Sequence, residues 1–251
     1  TFLNRAFDQV LLDVAMHRLP VTFVLDRAGI TGPDGPSHYG IWDLAVFGVV
    51  PGLRIAAPRD EATLREELRE AVSVGDGPTL VRFPTGAVAA DLPAVERLGW
   101  GLDAVDVLHR AAERDVLLVA VGAFGNLGVE AAQRISEQGY GVTVVDPRWV
   151  RPVQSELIDL AREHRLVVTV EDGVRTGGFG SALAQALRDA GVAAPVRDLG
   201  VEPGYHPHGS RAELLADLGL TAQDVAREIT ERVSRLDEAA EGRRPALDVT
   251  N

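Results

Sequence analysis

Apolar residues along this chain follow two alternating spacings. Phe2, Leu3, Ala6, Phe7, Val10, Leu11, Val14 and Ala15 recur every three or four positions, the repeat of one helix face, and predict a helix over about 2–17. No capping residue precedes it, so the sequence is expected to begin inside or beside a helix and to belong to a longer chain. Past Pro20 the pattern changes to the unbroken run Val21-Thr22-Phe23-Val24-Leu25, short and β-branched as in a strand buried in a parallel sheet. A helix is expected over 42–48 and a strand over Leu53–Ala57. Asp60 then stands as N-cap of another helix, and the strand Thr79–Phe83 ends at Pro84.

Residues 85–113 show turn signals and little periodicity until Val105, and read as a linker. The alternation then resumes, with strands at Val116–Val121, Gly141–Val145, 166–170 and Val196–Leu199. Helices are expected at 126–138, 153–163, 179–190 and from about 221 to 234. Strands alternating with helices of this length imply βαβ units with parallel sheets. The expected layout is two α/β domains, 1–98 (incomplete at its N-terminal side) and 99–236, followed by a polar, mobile tail at 237–251.

Composition narrows the function. The 251 residues are 46% hydrophobic and 25% charged, an ordinary profile for a globular protein. With no Cys, disulfides and thiolate–metal centres are ruled out, and a reducing cytoplasm fits. A net charge of −12 opposes a nucleic-acid partner. No apolar run approaches the ~20 residues of a membrane span, and no signal peptide is expected.

Three glycine-rich turns imitate cofactor loops. Gly122-Ala123-Phe124-Gly125-Asn126-Leu127-Gly128 precedes a strand that ends at Asp146, as in a dinucleotide fold, but Phe124 stands where the pyrophosphate requires glycine. Gly177-Gly178-Phe179-Gly180 lacks the lysine of a phosphate loop and reads as close packing of turn and helix. Gly75-Asp76-Gly77 has no suitable Asn downstream to complete a metal site and reads as a turn. The remaining polar segment, Asp26-Arg27-Ala28-Gly29-Ile30-Thr31-Gly32-Pro33-Asp34-Gly35-Pro36-Ser37-His38-Tyr39-Gly40, follows a buried strand, on the edge where parallel sheets place ligands. Its glycines permit tight turns and close ligand approach. On its own residues it reads equally as a site or as a surface loop.

That segment resembles the Asp-Arg-Ala-Gly…Asp-Gly…His signature of 1-deoxy-D-xylulose-5-phosphate synthases. The likeness extends to Thr1–Val10, Ala57–Asp60, Asp76–Pro78 and Val81–Pro84. The second half resembles the C-terminal domain shared by transketolases, in Val144–Pro152, Val170–Gly173, Gly177–Gly180, Pro207–Arg211 and Leu218–Leu220. A transketolase proper would open the loop differently.

The resemblance implies two parallel-sheet αβα domains of transketolase type, the pyrimidine-binding and C-terminal domains, in a cytoplasmic homodimer. It implies thiamine diphosphate as cofactor and the decarboxylative condensation of pyruvate with D-glyceraldehyde 3-phosphate. Phe2 matches the aromatic that stacks on the cofactor's aminopyrimidine, and Arg5 the cation beside it. His38 and Asp34 match groups facing the substrates, and Arg27 a cation holding the acceptor's phosphate. Thr85 stands where relatives carry a second cation, with Arg82 another nearby. No metal ligand is assigned here; the Mg²⁺ and diphosphate ligands belong to an N-terminal domain that this sequence lacks, so the chain alone is expected to be inactive. The alternatives are a transketolase, or a non-catalytic fragment acting as an assembly partner.

Overall fold

The computed structural model describes residues 2–241. Two sheets organise them. In the first, β1 (Thr22–Leu25), β3 (Thr79–Arg82) and β2 (Arg54–Ala56) run parallel, and β8 (Trp149–Arg151) closes the edge antiparallel to β2. In the second, β10 (Val196–Val201), β9 (Leu166–Val174), β6 (Val116–Ala120) and β7 (Val142–Asp146) are parallel. β5 (Val105–Arg110) and β4 (Glu96–Leu98) extend it antiparallel. The α/β class is as expected, and three strands depart from the purely parallel arrangement. Trp149–Arg151, in the second half of the sequence, hydrogen-bonds into the first sheet.

The expected linker 85–113 contains β4 and β5. Three residues are too few to display a period, so β4 is specified by its pairing with Val105–Val107 rather than by its own pattern. The opening helix is also irregular. A 3-10 turn (Leu3–Ala6), one α turn (α1, Phe7–Gln9) and a π stretch (Val10–Ala15) succeed one another. The helix α3 (Glu61–Ser73) begins on a capping box in which Asp60 and Thr63 satisfy each other's backbone N–H groups. The last helix, α8 (Ala222–Glu241), outruns its expected end because Asp237 accepts hydrogen bonds from Arg165 and Tyr140. Residues 242–251 of the expected tail lie outside the described residues.

One apolar core joins the two sheets, with Phe47, Ile55 and Leu80 beside Leu117, Val119, Leu157 and Phe179. Buried ion pairs reinforce the joint: Arg59 donates to Asp106 and Asp146, each at 2.7 Å. A second core lies under α4 (Gly125–Ser136) and α8, and takes in Ile30, Tyr39 and Ile41 from the glycine-rich loop. Among the described residues no helix is long and apolar enough to cross a membrane.

Candidate active site

The loop 26–40 leaves the end of β1 and returns to its own neck. Gly29 and Gly40 exchange both backbone hydrogen bonds, at 2.8 and 2.9 Å. A Cβ at Gly40 would come within 2.6 Å of the Arg27 carbonyl oxygen, so the neck closes only around glycine. Arg27 itself holds φ at +60°, a conformation that a non-glycine residue occupies at a cost of about 1–2 kcal/mol. Ile30, Tyr39 and Ile41 point inward and are buried. Arg27, Ser37 and His38 face outward, with Asp34 half-buried between them.

A cleft of about 200 Å³ opens beside this outer face, lined by Phe2, Leu3, Phe23–Leu25, Asp26, Arg27 and His38. The His38 ring stands edge-on to Phe2, with centroids 5.8 Å apart. The Arg5 guanidinium also lies 5.8 Å from the Phe2 centroid. Ser37 Oγ is 2.8 Å from His38 Nδ1, and Arg27 donates to Asp34 at 2.7 Å. Five of the six expected site residues thus meet in one place. Thr85 instead lines an adjoining cleft of about 420 Å³ with Pro84, Phe124, Arg211 and Leu215. The two clefts share a wall, because the Ala28 N–H donates to the Phe83 carbonyl at 2.9 Å. Arg82 is no free cation: it is 3% exposed and paired with Asp43 and Asp172 at 2.6 and 3.1 Å.

The cleft fits a flat heteroaromatic group. Phe2 turns its ring to the cleft, where it offers a face for stacking. Val24, itself exposed, extends the apolar wall, and Arg27 and His38 provide polar contacts at one side. Among the described residues no group of three His, Asp or Glu side chains is placed to hold a metal ion.

The other glycine turns are filled by the protein's own groups. At Gly177–Gly180, the Glu171 carboxylate accepts from the N–H groups of Phe179 and Gly180 at 3.0 and 2.8 Å, at the start of α6 (Phe179–Asp189). The N–H groups of this helix N-terminus are taken up by the protein's own side chain. Asp146, the would-be ribose acid, is fully buried and bound to Arg59 and the Arg148 N–H. Burial pushes its carboxyl up to about 6 despite the Arg59 charge.

Sequence reasoning assigned no role to the partners of the loop. Asp172 receives Arg82 on one oxygen and Arg211 on the other, the latter at 2.8 Å. Burial alone would raise this carboxyl; the two guanidinium groups hold it below its ordinary value. Arg211 also donates to the Ile30 carbonyl at 2.6 Å, and His208 Nδ1 lies 3.0 Å from that of Pro33. One available signal was an acidic pair, Glu171-Asp172, continuing a strand that is apolar but for Thr169, where uncompensated charge would be costly.

The sequence model of the transketolase pyrimidine-binding domain matches residues 1–90, and that of the transketolase C-terminal domain residues 105–225. The chain is 59% identical over 239 residues to 1-deoxy-D-xylulose-5-phosphate synthase of Mycobacterium avium, covering 94% of this chain and 37% of that protein. To the synthase of Saccharopolyspora erythraea it is 61% identical over 237 residues, covering 93% and 36%. It thus spans little more than a third of the length of these curated relatives. Among solved structures, a split-gene transketolase described as an inactive β4 tetramer superposes with a TM-score of 0.80 at 29% identity, covering 92% of this chain and 72% of that one. A transketolase mutant from Pichia stipitis superposes at 0.77 with 19% identity, covering 94% and 33%, a likeness of fold alone.

Proposed function

The chain belongs to the transketolase family, of which it carries the pyrimidine-binding and C-terminal domains, and from that premise we propose that it is the C-terminal part of a 1-deoxy-D-xylulose-5-phosphate synthase. The reading rests above all on the loop 26–40: the segment that most specifically resembles the synthases also brings Arg27, Asp34 and His38 to the exposed Phe2 ring. The reaction is the condensation of pyruvate with D-glyceraldehyde 3-phosphate, with release of CO2, and its product feeds isoprenoid, thiamine and pyridoxal precursors.

Thiamine diphosphate, when bound, supplies the carbanion chemistry. Phe2 offers a stacking face to its aminopyrimidine, and Arg5 flanks that face. His38, exposed at the rim and oriented by Ser37, hydrogen-bonds the reacting oxygen or carries its proton, the commonest role of a positioned imidazole. Asp34 accepts from an acceptor hydroxyl, and its pairing with Arg27 fixes both side chains until substrate arrives. Arg27 attracts the acceptor's phosphate, and Thr85, across the shared wall, adds a hydroxyl without charge. A charge-assisted hydrogen bond is worth roughly twice a neutral one, so the phosphate grip falls mainly to Arg27. Diphosphate and Mg²⁺ are assigned to residues outside this chain. A homodimer and a cytoplasmic location rest on the family resemblance alone.

Product analysis of the full-length protein, with pyruvate and glyceraldehyde 3-phosphate, tests the reading; no pentulose phosphate would refute it. Residues 1–251 alone are expected to give no turnover. His38→Ala in the full-length enzyme is expected to lower kcat/KM by ~10²–10⁴ while the fold persists. Arg27→Ala is expected to raise KM for the phosphorylated acceptor far more than for pyruvate. A second reading has one observation in its favour. The split-gene transketolase chain is matched over 72% of its length, against 37% for a synthase, which suits a separate subunit completed by a partner chain; mixing this chain with the missing domain in trans distinguishes the two.

A further inference from the structure

The glycines of the loop 26–40 serve contacts within the protein. Gly29, Gly32 and Gly35 all hold positive φ, at 75°, 91° and 77°. Each is pressed against a different part of the second half of the chain. A Cβ at Gly29 would lie 2.0 Å from Asp172 Oδ2, one at Gly32 would lie 2.9 Å from the Arg211 backbone nitrogen, and one at Gly35 would lie 2.1 Å from the His208 ring. The intervening carbonyls are held in the same way. Ile30 O accepts from Arg211 at 2.6 Å, Pro33 O lies 3.0 Å from His208 Nδ1, and Gly32 O lies 2.9 Å from the Tyr39 hydroxyl. That hydroxyl is also 2.5 Å from the Pro207 carbonyl. Behind Arg211, the chain of pairs runs through Asp172 to Arg82 and Asp43, all largely buried.

We propose that Pro207–Arg211, backed by Asp172, is a clamp through which the second half of the chain sets the conformation of the catalytic loop, with Arg211 and His208 as positioning residues. Neither residue lines the cleft that holds Phe2 and His38, and Arg211, which borders the Thr85 cleft, has its guanidinium engaged by Ile30 O and Asp172. They act on the backbone between Arg27 and His38, and so on where Asp34 and His38 stand. The arrangement needs a planar group at 211: one guanidinium bonds a loop carbonyl and a carboxylate at once, which a lysine ammonium on a flexible stem does less well. An active-site displacement of about 1 Å can cost a hundredfold in rate, so loosening the two carbonyls that Arg211 and His208 anchor is expected to show in catalysis. This inference rests on the synthase reading.

The test uses the full-length protein loaded with thiamine diphosphate and Mg²⁺, comparing wild type with Arg211→Met, Arg211→Lys and His208→Ala. Amide hydrogen exchange is followed at residues 29–36 and, as an internal control, in β6. Arg211→Met is expected to speed exchange in the loop at least ~10-fold, leave β6 protected, and lower kcat/KM by ~10–100-fold. Arg211→Lys should recover part of both losses. His208→Ala removes one exposed contact, so it should fold even where Arg211→Met does not, and should show the same pairing of effects on a smaller scale. Unchanged loop exchange in the folded variants would overturn the clamp. So would a loosened loop with kcat/KM per folded molecule within twofold of wild type, because that is the signature of a purely structural role. If wild type makes no product from pyruvate and glyceraldehyde 3-phosphate, the functional reading fails separately, and the exchange data still decide whether the clamp exists.

Discussion

Glu171 and Asp172 are neighbours on β9, and both are buried, yet they behave oppositely. Successive side chains of a strand face opposite ways, so Glu171 reaches the turn before α6 while Asp172 reaches the loop 26–40. Each meets a glycine that leaves no room for a Cβ: Gly178 for Glu171 and Gly29 for Asp172. The difference lies in their partners. Glu171 accepts from two backbone N–H groups with no guanidinium bonded to it, and burial pushes its carboxyl up to about 7. Asp172 bonds two arginines, which hold it below its usual value despite equal burial. Backbone dipoles suffice to position a carboxylate, whereas full charges are needed to keep it ionised in a dry site.

Three substitutions probe this contrast. The largest effect is expected for Asp172→Ala, which leaves Arg82 and Arg211 without their shared partner. Breaking a buried ion pair on one side costs about 3–5 kcal/mol, measurable by urea unfolding. A loss below about 1 kcal/mol would mean that Asp43 alone satisfies Arg82 and that the clamp carries little charge-pairing energy.

The second turns on pH. Glu171 rises from an ordinary 4.5 to about 7 on folding. The native state therefore binds the extra proton, and this stability is full below about 4.5 and lost as pH rises through about 7. At ~1.36 kcal/mol per unit, the loss amounts to roughly 3 kcal/mol. Asp172 has the opposite sign: its contribution is present at neutral pH and lost as pH falls through its lowered folded-state value. Because Asp146 and Glu67 are also raised by burial, the informative quantity is the difference between wild type and Glu171→Gln. The variant should lose much less stability between pH 5 and pH 8; identical slopes would show that Glu171 stays ionised. The smallest effect is expected at Ser210, whose side chain caps α7 (Arg211–Asp217) in a reciprocal box with Glu213. Ser210→Ala should cost about 1 kcal/mol in thermal or urea unfolding and thereby measure how far the clamp depends on its own helix rather than on Asp172.

What the sequence disclosed was local. The Asp60 cap predicted the start of α3, and apolar runs predicted the parallel strands. The loop signature singled out Arg27, Asp34 and His38, which the structure brings together with Phe2 and Arg5. What stayed hidden depends on distant pairing. β4 has only three residues, and β8 joins a sheet whose other strands end by residue 82. The glycines suggest tight turns and close ligand approach; Gly29, Gly32 and Gly35 do hold the positive φ of tight turns, and the close approach they permit is that of Asp172, Arg211 and His208. Nothing in residues 26–40 announces a contact more than a hundred positions downstream. Thr85 is a similar case, since its position across the wall from Arg27 depends on the path of the chain after Pro84.

The placement of β8 has a consequence for how this chain is made. A ribosome delivers the first three strands of the sheet long before Trp149–Arg151 emerges. Until then β2 presents one bare edge, and an unpaired strand edge recruits other chains. Nascent chains stalled or truncated between residues 85 and 148 are therefore expected to self-associate or engage chaperones, and chains extended past Arg151 to lose that tendency. A cut at 98, where the sequence suggests a boundary, would leave the first sheet permanently unfinished.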